Sequence, residues 1–360
     1  MKQIIFNQKV VPASAKWAFT ARRVNRRDAV GYGGDLYNAK AGDLVLVEVE
    51  TIGQHKKLQL AEGRYSQSYK GDLLVVVCGN RYAPDQFEGF AEINYDGCDM
   101  LAGGGIAGRL EAAHDKMAPP TRLRPLGLLT DKHGEVINIA SYAIPGSSIP
   151  SQVTVIGVFG ASMNAGKTTA AVSLAHGLSR AGYAVEGVKA TGTGAFGDFN
   201  AFLDAGVPVT DFTDAGMAST YKVPLERIED GFDALVGGAA ARGAEIVVVE
   251  IADGVFQAET AEIMNSSRIK DRFDTSLFAA PDALGAVGGV SIMTKHGLAP
   301  FAVSGMVTRS PLAVREAEAV TGTRLLSRDD LIDPEQLLPA IAHLLRGPVH
   351  QVAHHTNRAA

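Results

Sequence analysis

The feature that most constrains this chain is the stretch 153–183, VTVIGVFGASMNAGKTTAAVSLAHGLSRAGY. An apolar run, 153–159, leads into a loop of small residues, and an amphipathic segment follows from residue 167. The apolar run predicts a buried strand, and the amphipathic segment predicts a helix over 167–181. A strand, a tight turn and a helix in this order predict one repeat of a parallel sheet with crossover helices.

The loop between this strand and helix has the composition of a phosphate-binding loop, or P-loop. Residues 161–168, ASMNAGKT, fit the pattern [AG]-x4-G-K-[ST]. In such a loop the backbone N–H groups hold phosphates at the positive end of the helix dipole. Lys167 would reach the β- and γ-phosphates, and Thr168 would bind Mg²⁺. The predicted cofactors are therefore ATP and Mg²⁺, and the predicted cofactor-binding residues are Ala161, Ser162, Met163, Asn164, Ala165, Gly166, Lys167, Thr168 and Thr169.

A second strand end supplies a candidate acid for the metal. The run AEIVVVEIADG (244–254) is an apolar strand that ends in Glu250, with Asp253 just beyond it. A carboxylate at a buried strand is costly unless a cation compensates it. Glu250 is therefore predicted to bind the metal or to orient a water, with a structural salt bridge as the alternative. Asp253, at the same strand tip, is a further candidate.

The segment GVKATGTGAFGDFNAFLDAGVPVTDFTDAG (187–216) completes the predicted site. Lys189 ends a strand beside the P-loop strand, where it could face the γ-phosphate or an anionic substrate. The aspartates that follow suit Mg²⁺–triphosphate chemistry, although each could instead cap a helix or a turn. The predicted catalytic residues are Lys167, Lys189 and Glu250, and the predicted metal ligands are Thr168, Asp198, Asp211 and Glu250.

With these motifs placed, residues 152 to about 330 resemble the dethiobiotin-synthetase-like branch of P-loop proteins. That resemblance implies nucleotide roles for Lys167 and Thr168, and places the family's later lysine, aspartate and glutamate at Lys189, Asp198 and Glu250. The segment is also similar to the P-loop family that includes D-glutamate N-acetyltransferase, in Thr191-Gly-Thr-Gly194 and Asp211-Phe212. Base recognition in such folds follows a late strand, which here places it at Thr308 and Arg309. The chain has no Asn-Lys-x-Asp, which favours adenine over guanine.

The first half of the chain has a different pattern. GDLVLVEVETIG (42–53) alternates apolar residues as a half-buried strand does. Closely spaced strands with Gly-Asp turns predict a smaller β-rich barrel or sandwich before the α/β P-loop domain. We predict a β-rich domain over 1–148, serving as a substrate lid, in dimer contacts or in anion binding. The P-loop domain follows over 149–346, with a mostly parallel sheet and helices on both faces, and a flexible tail over 347–360.

Composition limits the classes of partner. The net charge of −5 gives no overall attraction to nucleic acid or anionic membrane, although Arg22, Arg23, Arg26 and Arg27 form a basic arm. No run reaches the ~18 apolar residues of a membrane span. Two distant cysteines, Cys78 and Cys98, do not make a disulfide framework, and they predict buried thiols in the cytoplasm.

From these features the sequence predicts an ATP- and Mg²⁺-dependent enzyme that activates or phosphorylates a small molecule, as a ligase or small-molecule kinase does. One alternative is an N-acyltransferase acting on an amino acid, with the P-loop binding the phosphates of coenzyme A. Another is an ATPase with a nucleic-acid-binding first domain. The predicted partners are a small anionic substrate and a second copy of the chain in a homodimer.

Overall fold

The computed structural model describes residues 10–346, which form two compact units. Unit 1 comprises residues 10–144 together with Gly192–Gly197 and Phe212–Val223. Unit 2 comprises Pro145–Thr191, Asp198–Asp211 and 224–346. The two short segments of unit 1 lie far along the chain, and a linear division at 148/149 does not anticipate them. The predicted tail, 347–360, lies outside the described residues.

Unit 1 is built mainly of strands. Within residues 10–144 these are β1 (Lys16–Trp17), β2 (Gly31–Gly33), β3 (Leu44–Thr51), β4 (Lys57–Gln59), β5 (Tyr65–Gln67), β6 (Leu73–Cys78), β7 (Phe87–Phe90), β8 (Cys98–Ala102), β9 (Ile106–Ala113) and β10 (Thr121–Thr130). Antiparallel pairs join β6 to β3, β3 to β10, β10 to β8 and β8 to β9. A parallel pair between β9 and β6 closes the ring. This closed sheet agrees with the β-rich barrel predicted from the sequence.

The strand β3 differs in one respect from its sequence prediction. Leu44 and Leu46 pack into one buried apolar cluster, whereas Val45 and Val47 pack into another. Because successive side chains point to opposite faces of a strand, both faces of β3 are covered. The strand is therefore buried on two sides over most of its length, and the half-buried strand predicted from alternating valines is wrong. Cys78 and Cys98 are buried free thiols, as predicted.

Unit 2 alternates strands and helices. Its described strands are β11 (Thr154–Gly160), β12 (Val185–Lys189), β13 (Val209–Asp211), β14 (Ile246–Glu250), β15 (Thr275–Ala279) and β16 (Pro300–Ser304). Its described helices are α1 (Lys167–Arg180), α2 (Phe196–Asp204), α3 (Leu225–Ala241), α4 (Ala258–Asn265), α5 (Ser267–Lys270), α6 (Ala283–Lys295), α7 (Pro311–Thr321), α8 (Arg328–Ile332) and α9 (Pro334–Ile341). The first two residues of α2 belong to unit 1 by the division above.

The six strands of unit 2 among the described residues pair in the order β13-β12-β14-β11-β15-β16, and every pair is parallel. This is the parallel sheet that the sequence predicts. Leu174 and Leu178 of α1 pack with Ile156 and Val248 of the sheet in one buried cluster. In this strand order β11, the strand that leads into the P-loop, is a central strand with β14 on one side and β15 on the other.

Local capping signals account for several helix ends. Asp282 accepts a hydrogen bond from Gly285 N and begins α6. Ser310 caps α7, which has Pro311 in its first turn. Ser327 and Asp330 form a capping box at α8. Such side chains satisfy N–H groups that lack a partner within the helix. None of the helices within 10–346 has the length and apolar character that crossing a bilayer requires.

Candidate nucleotide-binding site

Charged residues line up at the carboxyl ends of neighbouring strands in unit 2. Asp211 of β13 lies opposite Lys189 of β12, and Lys189 lies opposite Glu250 of β14. Glu250 lies opposite Val158 of β11, the strand that leads into the P-loop. The strand that ends in Lys189 is separated from the P-loop strand by β14, so the prediction that it lies beside the P-loop strand is wrong. Asp211 and Glu250 are each 1% exposed and Lys189 is 8% exposed. Buried charges persist when opposite charges or ligands compensate them, so this row is a candidate site.

The loop after β11 has the backbone expected of a phosphate cradle. Gly166 immediately precedes α1 and has φ of 99°, a left-handed conformation that glycine adopts without steric penalty. Two backbone hydrogen bonds join the loop to neighbouring segments: Ala161 N donates to Ala279 O at 3.0 Å, and Met306 N donates to Ala165 O at 3.1 Å. The first-turn N–H groups of α1 lack intrahelical acceptors and carry the positive end of the helix dipole. The loop therefore presents donors to an anion.

Lys167 brings a buried ammonium group to this loop. The residue is 6% exposed, and its Nζ donates to the carbonyl oxygen of Ser162 at 2.8 Å. Burial lowers the pKa of Lys167, while the carboxylates of Glu250 and Asp253 act to raise it and Lys189 acts to lower it. Each of these three charged groups therefore acts on the Lys167 ammonium. The ammonium is therefore held among charges at the phosphate-binding loop.

Thr168 and Glu250 form a direct pair. The Thr168 hydroxyl donates to Glu250 Oε1 at 2.9 Å. The other oxygen, Oε2, is buried and has no hydrogen-bond partner among residues 10–346. Hydroxyl and carboxylate oxygens are hard donors of the kind Mg²⁺ takes, usually together with waters and substrate phosphates. The unsatisfied oxygen and the adjacent hydroxyl fit a magnesium ion at this position.

Asp198 and Asp211 are placed differently from Glu250. Asp198 forms an ion pair with Lys189, whose side chain is 10% exposed. Asp211 lies in the row across the sheet, on the far side of Lys189 from Glu250. Within the described part of the chain, no three His, Cys, Asp or Glu side chains are grouped closely enough to hold a metal ion. A bound Mg²⁺ would therefore have Thr168 and Glu250 on the protein side, and phosphate and water around the rest.

The predicted base-binding residues follow β16. Met306–Arg309 form a short 3₁₀ turn, in which Thr308 Oγ1 donates to Gly305 O at 2.8 Å. The turn begins against the P-loop, because Met306 N donates to Ala165 O. Thr308 and Arg309 therefore lie on a segment that is anchored to the phosphate-binding loop.

The basic arm of the first half forms ion pairs inside unit 1. Arg22 donates to Thr213 and pairs with Asp214 at 2.6 Å. Arg23 lies 3.7 Å from Asp214, and Arg26 pairs with Glu62. Three of the four arginines are thus engaged with acids of the same unit, which reduces the positive charge offered to a polyanion.

In unit 2 the strand β11 leads through a loop that ends in Gly166 into helix α1, which begins at Lys167, and the sheet around β11 is parallel. Unit 2 has a P-loop NTPase-like fold. No protein-family model matches the chain, and no curated protein matches it significantly. The chain does have structural neighbours among solved proteins.

Three solved neighbours of the chain are named FtsY, and two of them are described as signal recognition particle receptors. One, from Elizabethkingia anophelis, is 20% identical with a TM-score of 0.31, and the match covers 47% of this chain and 59% of that one. A second from the same organism, in complex with GDP, is 18% identical with a TM-score of 0.34 over 52% and 62% of the two chains. The third, from Mycoplasma mycoides, is 13% identical with a TM-score of 0.37 over 55% and 70%. The match thus spans less than two thirds of the first two receptors.

The sequence predicts a ligase or small-molecule kinase, whereas two of these neighbours are described as receptors, one of them in complex with GDP. The ligase or kinase prediction is not borne out by the comparison, and neither the acyltransferase nor the nucleic-acid-binding ATPase gains support from it. The dethiobiotin-synthetase-like branch is not among these neighbours.

Proposed function

We propose that unit 2 binds a nucleoside triphosphate with Mg²⁺ and hydrolyses it to the diphosphate and phosphate. The observation that carries the proposal is the meeting of three features at one loop. The three features are the buried ammonium of Lys167, the Thr168–Glu250 pair and the N-terminus of α1, and all of them lie where the P-loop joins α1. Each favours an anion or its counterion, and together they suit a polyphosphate.

Hydrolysis of a phosphoanhydride depends mainly on positioning and charge neutralisation. The first-turn amides of α1 and the Lys167 ammonium would bind phosphate oxygens, which carry more charge as the terminal group departs. Lys189, at the end of β12 and opposite Glu250, adds a second buried ammonium to the row. Glu250 would hold a water or the metal through the oxygen that has no partner among the described residues.

Mg²⁺ would supply charge neutralisation to the phosphates and hold them in one orientation. Thr168 and Glu250 are the residues that would hold it. The Thr168 hydroxyl already bonds to one carboxylate oxygen, so the pair is oriented before any ligand arrives. Such preorganisation lowers the cost of assembling the site.

We propose that the bound base is adenine and the nucleotide ATP, because the chain lacks the Asn-Lys-x-Asp motif of a guanine-specific site. GTP is the competitor to test beside it, since one FtsY neighbour holds GDP. The kinship with the dethiobiotin-synthetase-like branch, the anionic small-molecule partner, the homodimer and the cytoplasmic location stay predictions.

Titration calorimetry with ATP and with GTP, each in excess Mg²⁺, tests the proposal. One nucleotide should bind, and Lys167→Ala should weaken its binding about 100-fold, because a buried charge-assisted contact is lost. Lys295→Ala is the matched control, since Lys295 is an exposed lysine at the end of α6 in the same unit. Equal affinity in the wild type and the Lys167 variant, or no binding of either nucleotide, contradicts the proposal.

A further inference from the structure

The loop that follows Glu250 is fixed by side chains that the nucleotide site does not otherwise use. We call residues 251–254, Ile-Ala-Asp-Gly, the acidic loop. Thr191 Oγ1 accepts from Ala252 N at 2.8 Å and donates to Ala252 O at 2.7 Å. Thr260 Oγ1 donates to the same carbonyl at 3.1 Å. Thr191 is 0% exposed and Thr260 is 1% exposed, so two fully buried hydroxyls hold the residue before Asp253.

The residue after Asp253 is held by the P-loop itself. A Cβ at Gly254 would lie 2.5 Å from Ala161 O and 2.9 Å from Ser162 Cα. Only glycine allows so close an approach of two backbones. One residue further on, Val255 N donates to Gly160 O at 3.1 Å. Asp253 is thus flanked by a backbone pinned to two threonines and by a backbone in contact with the start of the P-loop.

The surroundings of Asp253 are those of the phosphate end of the site. Its neighbour Gly254 lies against Ser162, whose carbonyl oxygen accepts a hydrogen bond from the Lys167 ammonium at 2.8 Å, so Asp253 lies close to the Lys167 end of the loop. Asp253 is half-buried, which leaves part of its side chain accessible to water.

We propose that Asp253 is the catalytic residue that orients the attacking water, and that Thr191 and Thr260 are the positioning residues that fix it. This inference rests on the proposed hydrolysis of a nucleoside triphosphate. Asp253 accepts a hydrogen bond from the water, whose oxygen forms a bond to the terminal phosphorus. The bond from that phosphorus to the bridging oxygen breaks, and the diphosphate leaves with the electron pair. The protons of the water leave on the phosphate product, which then loses one to solvent.

The Thr residues have a separate role in this scheme. They touch neither the water nor the phosphate, but they hold the Ala252 peptide that sets the direction of the next side chain. Loss of either hydroxyl leaves a buried backbone group of Ala252 without that partner and lets the acidic loop shift. A misplacement of about 1 Å near the reacting atoms can lower a rate about 100-fold.

The test measures phosphate release at saturating nucleotide and nucleotide affinity in parallel. Asp253→Asn should lower kcat about 100-fold and change Kd by less than about 3-fold, because an amide orients the water poorly while the phosphate cradle remains. Asp271→Asn, at an exposed aspartate after α5 in the same unit, is the matched control and should match the wild type. A normal kcat in Asp253→Asn, or a loss confined to Kd, overturns the inference.

The threonine variants keep the inference testable if the aspartate variant folds poorly. Thr191→Val should lower kcat about 10-fold or more with Kd unchanged, and Thr191→Ser, which retains the hydroxyl, should restore most of the rate. Equal rates in the Val and Ser variants overturn the positioning role. Failure of the proposed function gives a different result, since the wild type itself would then neither bind nor hydrolyse a nucleotide.

Discussion

Buried carboxylates at the two edges of the sheet in unit 2, one formed by the amino ends of the strands and the other by the carboxyl ends, differ in their hydrogen bonding. Near the amino ends of the strands, Glu186 has both oxygens paired with Arg242, Nε at 3.0 Å from Oε2 and Nη2 bonding to Oε1. Asp274, just before β15, accepts from Val155 N at 2.8 Å and from Arg346. At the carboxyl edge, Glu250 has one oxygen bonded to Thr168 and one without a partner among the described residues.

This difference separates carboxylates that serve the fold from one that serves a ligand. Leaving a buried acceptor unsatisfied costs roughly 1–3 kcal/mol, and more for a charged group. The carboxylate oxygens of Glu186 and Asp274 all have hydrogen-bond partners within the fold, whereas one oxygen of Glu250 does not. Unsatisfied buried groups are characteristic of sites whose partner arrives with a ligand. This contrast supports the proposal that the nucleotide binds at the carboxyl edge of the sheet.

The strongest test of the comparison is Glu250→Gln. Removing the charge should lower phosphate release roughly 100- to 1,000-fold, which is the usual effect of deleting one preorganised electrostatic group. It should also raise the Mg²⁺ concentration needed for half-maximal activity, because a carboxylate ligand is replaced by a neutral amide. A steady-state phosphate assay across a Mg²⁺ titration measures both.

Glu186→Gln is the matched control on the same sheet. It makes the same chemical change at a buried glutamate that is paired on both oxygens. The activity of this variant should equal that of the wild type, and only its free energy of unfolding should be lower. Equal losses of activity in the two variants would remove the distinction between the edges.

A titratable group in unit 1 extends the comparison to pH. His55 Nδ1 lies 3.0 Å from Met100 O, and Nε2 lies 3.4 Å from Arg81 Nη1. Burial, and then the Arg81 charge, lower the pKa of His55 to about 4. Because the unfolded chain has an ordinary histidine pKa near 6.5, it binds the proton first as the pH falls. Unit 1 should therefore lose stability between pH 6.5 and 4, by at most about 3 kcal/mol.

Urea unfolding of the wild type and of His55→Gln across this pH range checks the prediction. Glutamine cannot take up the proton, so the slope of stability against pH should flatten in the variant. His133→Gln, at an exposed histidine of unit 1, should keep the wild-type slope. A slope that is unchanged in His55→Gln would show that other groups govern the acid response.

The sequence was most informative where structure depends on neighbours along the chain. The P-loop needs one apolar strand, one small-residue turn and one helix, all within 153–183, and this local pattern predicted β11 and α1 closely. The strand ends at Lys189 and Glu250 followed from similar runs. Because parallel strands share an edge, those two residues could be expected near the loop.

What the sequence did not predict depends on contacts between distant residues. The pairing of β9 with β6, which closes the barrel, has no local signal. The assignment of Gly192–Gly197 and Phe212–Val223 to unit 1 is equally non-local. Thr260 was missed because a threonine early in a helix looks like any helix-start residue, and its bond to Ala252 appears only in three dimensions.

The smallest expected effect tests the saturated edge directly. Arg242→Ala leaves the Glu186 carboxylate buried and charged without its guanidinium. Breaking a buried pair costs about 3–5 kcal/mol, but the Arg242 side chain is 47% exposed, so we expect about 2 kcal/mol in urea unfolding. The double variant Glu186→Gln with Arg242→Ala should be more stable than Arg242→Ala alone, because the stranded charge is gone. If the double variant were less stable than Arg242→Ala alone, the buried Glu186 carboxylate would be stabilised by a contact other than the ion pair with Arg242. The contrast between Glu186 and Glu250 would then lose its basis.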